Sequence, residues 1–281
     1  MKEKIIVSLT SYDLRLNNLP KVLNTIFNQT FPPDIVELNL AFKETIPSSV
    51  NDYLQNHNVT INRCPDTKVY KKIIPSLLKY PNDCIICIDD DYLFPTGMIE
   101  DFISVHKLYP NNPISGSHWS YKGLFTPHCG NASLTKAEYL GDYIHEIDND
   151  LMQNCPSSDI VYTYLSILNG HPYLCTQEEY FLNLTHYNEI NGYSKNVVGN
   201  DGQQKTLEYL EQRFGKLPSF FVPYLGDNAL SHTFQTMVNN EMQERIEIET
   251  SKIRATYAYR LGKTLIKPFS HIRNAIKTNK I

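Results

Sequence analysis

Short apolar runs alternate with helically spaced apolar stripes through the first third of the chain. Lys4 to Leu9 (KIIVSL) predicts a strand, and Thr10, Ser11, Tyr12 and Asp13 a polar loop after it. From Leu16 to Gln29 the apolar positions 16, 19, 22, 23, 26 and 27 have helical spacing, with Pro20 early enough for a first turn. Pro32-Pro33 interrupts the chain. Strands then follow at Ile35–Phe42 and Val59–Arg63, around a short helix at Ser48–Gln55. A helix over Thr67–Tyr80 leads into a fourth strand, Cys84–Ile88, and another helix covers Gly97–Tyr109. Strands alternating with helices predict βαβ units, hence an α/β fold with a Rossmann-like, mostly parallel sheet flanked by helices.

The second half is less regular. Residues 110–135 carry no clear period and contain the only Trp, Trp119. A helix is predicted over Ser158–Asn169, ending at Gly170, and short strands and loops over 171–230. Near the end Ile253, Tyr257, Leu261 and Leu265 recur every four residues, and Phe269, Ile272 and Ile276 continue the stripe after Pro268. Basic residues flank that stripe, and no Asp or Glu occurs after Ser251. The overall net charge of −4 therefore conceals an acidic body and a basic tail. Residues 251–281 suit an anionic membrane surface, or else the acidic body itself. That body argues against nucleic acid as a partner.

The chain has 281 residues, enough for one large α/β domain. No run of eighteen apolar residues exists, and the N-terminus lacks the long apolar core of a signal peptide. The expected location is the cytoplasm or the inner face of the membrane. Cys84 and Cys87 form a C-x-x-C, but within a strand they point to opposite faces and cannot pair as zinc ligands. There is no G-x-G-x-x-G after the first strand and no G-x-x-x-x-G-K-[ST], which argues against dinucleotide enzymes and P-loop ATPases.

The strongest chemical signal is Asp89-Asp90-Asp91, in CIICIDDDYLFP. Three carboxylates at the end of a buried strand repel one another and call for a cation. Hard oxygen ligands suit Mg²⁺ or Mn²⁺, which commonly also bind substrate phosphates. Ligands of open α/β sheets bind just beyond the carboxyl ends of strands. A solvated acidic turn is the plain alternative.

The loop after the first strand (IVSLTSY), the strand-end IDDD and a later acid opening a helix together resemble GT-A glycosyltransferases of the family 2 type. YKKIIPSLLKYPNDCIICIDDDYLFP is similar to a bacterial surface-polysaccharide (capsule or lipopolysaccharide) subgroup. The resemblance spans roughly residues 4–175. It implies a nucleotide-sugar donor, most often UDP-linked, held by Mn²⁺ or Mg²⁺, and a glycan or lipid-linked acceptor. By the resemblance Asp91 is the main metal ligand, Asp89 lies toward the metal or ribose, and Asp90 joins the cofactor site. Thr10, Ser11 and Tyr12 match the nucleotide-lining loop, and Asp66 the base contact. Lys72 matches a diphosphate-binding lysine; a solvated helix lysine is the alternative, and Lys71 could exchange roles with it. Arg15 is a further phosphate candidate.

The resemblance places the base for an inverting displacement at an acid near a helix start, here Asp159 in CPSSDIVYTYLSILNG. The subgroup usually has two acids at that point; Ser158 replaces the first. Helix capping is the alternative for Asp159, and Asp142, Glu146 and Asp148 are runner-up bases. Cys129-Gly130-Asn131-Ala132 matches a small-residue turn beside the donor sugar. Trp119 and Tyr121 are candidate sugar platforms, His232 a third metal ligand, and Asn200-Asp201 an acceptor contact. The implied organisation is a nucleotide-sugar half at 1–110, an acceptor half at 111–250 and a basic amphipathic tail at 251–281. The rival readings are a nucleotidyltransferase, a phosphatase with an Asp nucleophile, and a binding protein of the same fold without catalysis.

Overall fold

The computed structural model describes residues 3–121, 124–129, 132–175, 182–183 and 201–217, all within one compact unit, Met1–Leu225. Gly130, Asn131, Asn200, His232 and the basic tail lie outside the described residues.

A seven-stranded sheet is ordered β10-β6-β9-β4-β1-β2-β3. Its first four strands are β1 (Ile5–Thr10), β2 (Ile35–Ala41), β3 (Thr60–Cys64) and β4 (Cys84–Cys87). They pair in parallel, with Ser8 opposite Glu37 on one side and Cys87 on the other. β6 (Ile114–Ser115) and β10 (Leu174–Cys175) are parallel to each other. β9 (Ser133–Thr135) lies between β4 and β6, antiparallel to both. β5 (Tyr92–Leu93) pairs with β11 (Leu182–Asn183), and β7 (His118–Tyr121) with β8 (Leu124–Pro127), in separate small sheets.

The period-two alternation of the strands separates two cores. Ile5, Val7 and Leu9 of β1 and Cys84 and Ile86 of β4 face α1 (Leu19–Phe27), α2 (Ser48–Asn56) and α4 (Met98–Leu108). Ile6, Ile85 and Cys87 face α3 (Ile74–Lys79), α5 (Ala137–Leu140), α6 (Asn149–Asn154), α7 (Ser158–Leu168) and α8 (Gly202–Phe214). Cys84 and Cys87 do point to opposite cores, and the six cysteines are all free thiols.

Two predicted helices are each broken by a proline. Asp13–Asn18 is a 3₁₀ turn before α1, and Lys68–Lys72 is a 3₁₀ turn before α3. Pro20 and Pro75 lack an N–H and would strike the carbonyl four residues back, so the α-helix starts only at the proline's own turn. Residues 110–135, predicted irregular, hold β6 to β9. Those strands have two to four residues, too few to show a period. Helix α8 falls where strands and loops were predicted.

A buried polar network joins the sheet to the second break. Ser8 Oγ donates to the Lys72 carbonyl at 2.6 Å and lies 2.7 Å from Ser76 Oγ. Asn39 Nδ2 donates to both serine oxygens at 3.0 Å, and Asn62 Nδ2 to Asn39 Oδ1 at 2.7 Å. Ser76 Oγ donates to Glu37 Oε1 at 2.9 Å, and the Tyr80 hydroxyl to Glu37 Oε2 at 2.9 Å. Lys79 pairs with Glu37, which is fully buried. Ser76→Ala strands several of these groups at once, and is expected to cost about 1–3 kcal/mol in urea unfolding. The exposed Ser104→Ala should stay within about 0.5 kcal/mol.

Candidate active site

The carboxyl ends of β1 and β4 lie side by side, and the chain leaves β4 with the Ile88 amide still donating to the Ser8 carbonyl at 3.0 Å. Asp89, Asp90 and Asp91 follow. Asp90 and Asp91 are buried, and Asp89 is part-exposed at 31% of its side chain. Each meets a partner from a loop that precedes it by many residues.

Ser11, just past β1, donates to Asp90 Oδ2 at 2.5 Å. Arg15, in the first 3₁₀ turn, pairs with Asp90 and reaches Asp91 Oδ2 with Nη2 at 3.0 Å. Its guanidinium also lies 5.4 Å from the centre of the Tyr12 ring. Lys72, ending the second 3₁₀ turn, donates from Nζ to Asp89 Oδ1 at 2.9 Å. Burial pushes the Lys72 ammonium toward losing its proton, but Asp89, Cys87 and Asp159 outweigh it and hold it well above the usual lysine value. Burial likewise opposes the Arg15 charge, and Asp90 and Asp91 more than restore it. Asp90 remains raised: its desolvation exceeds what Arg15 and Ser11 return.

Asp159 sits in the first turn of α7 and is half-buried. Burial pushes its carboxyl up to about 6, against the pull of Lys72, with Asp89 adding to the rise and the Cys129 thiol and amide bonding to the charged form. The N-cap residue of α7 is Ser157, not Asp159, and it makes no side-chain capping bond. Asp159, Lys72 and the triplet thus share one electrostatic site.

Five described residues other than glycine have positive φ; Asn58 and Asp201 lie elsewhere in the chain, and three lie in the segments that carry these groups. Asp13 and Lys68, which begin the two cation-bearing turns, have φ of 46° and 53°, and Ala132, after Cys129, has 93°. These values are rare for residues with a side chain and persist only where the surroundings impose them.

Other predicted residues have different surroundings. The Thr10 hydroxyl donates to the Asn39 carbonyl at 2.6 Å and so ties β1 to β2. Asp66 is held by Lys71 at 2.5 Å and Lys43 at 2.6 Å, which draws its carboxyl well below the usual range. Lys71 therefore serves Asp66, while Lys72 serves the triplet. Glu146 and Asp148 bind Arg213 of α8 at 2.8 and 3.0 Å, and Asp148 caps α6. Asp142 is exposed. Trp119 stacks on His128 with ring centres 6.3 Å apart, and the Tyr121 hydroxyl donates to Gln204 at 3.1 Å. Arg15's bridge and Cys129's bonds to Asp159 were not foreseen. No local pattern encodes a contact between residues 75 positions apart.

Four acids (Asp89, Asp90, Asp91, Asp159) and two cations (Arg15, Lys72) interact here. Fully ionised, the group carries a surplus of two negative charges on hard oxygen donors, which fits a divalent Mg²⁺ or Mn²⁺. A second cluster brings ligand atoms of Glu3, Cys84 and His106 within 4.8 Å of one another, near the amino-terminal ends of β1 and β4. There Lys136 Nζ lies 2.8 Å from Glu3 and already supplies the positive charge.

No protein-family model matches the chain, and no curated protein matches it in sequence. Solved structures do match in fold. The mannosyltransferase PcManGT from Pyrobaculum calidifontis, in complex with GDP-Man and Mn²⁺, aligns with TM-score 0.57 at 13% identity, over 94% of this chain and 84% of that one. S. aureus TarS 1–349 in complex with UDP gives 0.48 at 12% identity, over 76% and 72%. A 4-diphosphocytidyl-2C-methyl-D-erythritol synthase gives 0.45 at 13%, over 67% and 95%. The fold is the GT-A type: a mixed α/β domain with a mostly parallel seven-stranded sheet flanked by helices.

The raised Asp159 carboxyl has a stability consequence. An acid whose folded value lies above its ordinary one is no burden while protonated and becomes one as pH rises through the folded value. Asp159→Asn should therefore match the parent in Tm near about pH 4 and exceed it increasingly up to about pH 7, by an amount on the order of 2 kcal/mol. A gap independent of pH would refute the assignment.

Proposed function

We propose that the protein is a metal-dependent, inverting glycosyltransferase that moves a sugar from a nucleotide-sugar, UDP-linked by preference, to a glycan or lipid-linked acceptor of cell-surface polysaccharide synthesis. The observation that carries this reading is the meeting of a buried lysine, a strand-end acidic triplet and a carboxyl raised to about 6 at one end of a parallel sheet. The nucleotide-sugar and metal named with the PcManGT structure agree with it.

Asp91 and Asp89 would hold Mn²⁺ or Mg²⁺, which when bound stabilises negative charge on the departing diphosphate. The rest is the chain's own work. Ser11 and Tyr12 line the nucleotide beside β1, with Thr10 fixing that loop to the sheet, and Asp66, oriented by Lys43 and Lys71, faces the base. Lys72 Nζ is a fixed point charge for the phosphate oxygens. It sits next to the carboxylates without wandering, because its own carbonyl is pinned by Ser8. The acceptor hydroxyl attacks the anomeric carbon from the face opposite the leaving group, and Asp159 takes its proton. A carboxyl near 6 is ionised at neutral pH yet more basic than an ordinary aspartate, as a general base requires. Sequence pattern alone supports the basic residues of 251–281 as a means of reaching a membrane-borne acceptor.

A screen of UDP-, GDP- and dTDP-sugars with Mn²⁺ and candidate acceptors tests the reading, with nucleotide release and thermal shift read together. Metal-dependent release from one donor is expected. Asp159→Asn should lower acceptor-dependent turnover by about 10²-fold or more while nucleotide still binds. Asp91→Asn should abolish the metal dependence of binding. Stabilisation without turnover would indicate a binding protein. Pyrophosphate release from a nucleoside triphosphate and a sugar phosphate would indicate a nucleotidyltransferase instead.

A further inference from the structure

The acidic triplet is already bridged by a cation from its own chain. Arg15 contacts both Asp90 and Asp91, the Asp91 contact being 3.0 Å, and its side chain is only 14% exposed. The bridge is incomplete on the arginine side: its Nε is buried without a hydrogen-bond partner among the described residues. A guanidinium has five donors in a planar fork that matches phosphate as well as carboxylate. The two cations of the site are also mounted differently. Lys72 is fixed through its carbonyl to a buried network. Arg15 lies in a six-residue 3₁₀ turn, with the Tyr12 ring beside it.

We propose that Arg15, by holding Asp91, stands in for the divalent cation at the acidic triplet, and yields only when a nucleoside diphosphate accepts the guanidinium in exchange. This rests on the metal and nucleotide reading given above. The electrostatics require the exchange to be coupled. A divalent ion entering while Arg15 stays would face a neighbouring positive charge, with both Asp90 oxygens already held by Ser11 and Arg15, and Asp91 Oδ2 held by Arg15. A guanidinium leaving without a new anion would lose its charge-assisted bonds in a partly desolvated place. A diphosphate removes both difficulties, since it accepts the fork and adds oxygen ligands for the metal. Metal and nucleotide therefore bind with positive coupling, and by linkage each tightens the other equally. Arg15 becomes a diphosphate-binding residue as a result of releasing the carboxylates, and Tyr12 offers its ring to the guanidinium in either position.

The test measures free Mn²⁺ by electron paramagnetic resonance in titrations of the full chain, alone and with saturating UDP or GDP. In the parent, nucleotide should tighten Mn²⁺ binding by about tenfold, within the usual range of coupling between sites. In Arg15→Gln, Mn²⁺ alone should bind about tenfold more tightly than in the parent, and nucleotide should tighten it by clearly less than it does in the parent. Arg15→Lys, which keeps the charge and the fold's ion pair but not the fork, should move both values the same way by less, and serves should the glutamine variant fail to fold. Unchanged metal affinity and unchanged coupling in both variants would overturn the proposal while leaving the metal site standing. Nucleotide binding in the parent with no Mn²⁺ bound under any condition would overturn this proposal together with the metal dependence it rests on.

Discussion

Three consecutive carboxylates at the end of a buried strand form a local excess of negative charge that the fold has to neutralise. The remainder of the site can be read as that neutralisation. Arg15 and Ser11 come from the loop after β1 and both take Asp90, Arg15 also reaching Asp91, while Lys72, from the turn before α3, takes Asp89. The compensation stops short, since Asp90 stays raised and Asp159 adds a further acid. A fully neutralised cluster would be an inert structural ion-pair network. One left two charges short has an appetite for a small hard cation.

Holding cations beside carboxylates costs order elsewhere. The Lys72 main chain is fixed by hydrogen bonds from β1, and those bonds are shared with Asn39, Ser76 and Glu37 in a part of the interior that hydrocarbon would otherwise fill. Two residues with left-handed φ start the turns that present Arg15 and Lys72. Networks of this kind are useful only when nearly complete, because a partly satisfied one is worse than an apolar core. Two left-handed turn starts and a raised Asp159 bear on the triplet at the carboxyl end of β4. The opposite end has its own ion pairs, Glu3 with Lys136 among them.

The order β1-α1-β2-α2-β3-α3-β4 was legible because apolar runs alternate with helically spaced stripes and most of the boundaries carry Pro or Asn, as at Pro32-Pro33, Pro47, Asn58, Pro65 and Pro81-Asn82. The triplet was legible for a related reason: charge placed directly after CIICI has nowhere apolar to go. The proline breaks were half-visible. Pro20 reads as a helix start, but the sequence does not say that residues 13–18 form a 3₁₀ turn delivering Arg15. Strands β6 to β9 escaped because two to four residues carry no periodicity and owe their existence to neighbours distant in sequence. Helix α8 is mostly polar, with Thr206 and Leu210 its fully buried side chains, yet Gly215 at φ 82° closes it as a helix-ending glycine would. The separate duties of Lys71 and Lys72 rest on a one-residue rotation in an irregular turn, which no helical wheel resolves.

The place of β9 has a bearing on how the chain is made. β1 to β4 can assemble in the order of synthesis, each new parallel strand adding to an existing edge. β6 emerges before β9, yet β9 is the strand that separates β6 from β4. The β4 edge, with Ile85 and Ile86 on it, therefore stays open until residues 133–135 have left the ribosome, and β6 cannot join the sheet before then. An apolar edge exposed over that interval is a template for wrong pairing. The nascent chain should be most dependent on chaperones, and most prone to aggregate, when it ends between β4 and β9, a window that closes once this single antiparallel strand is seated.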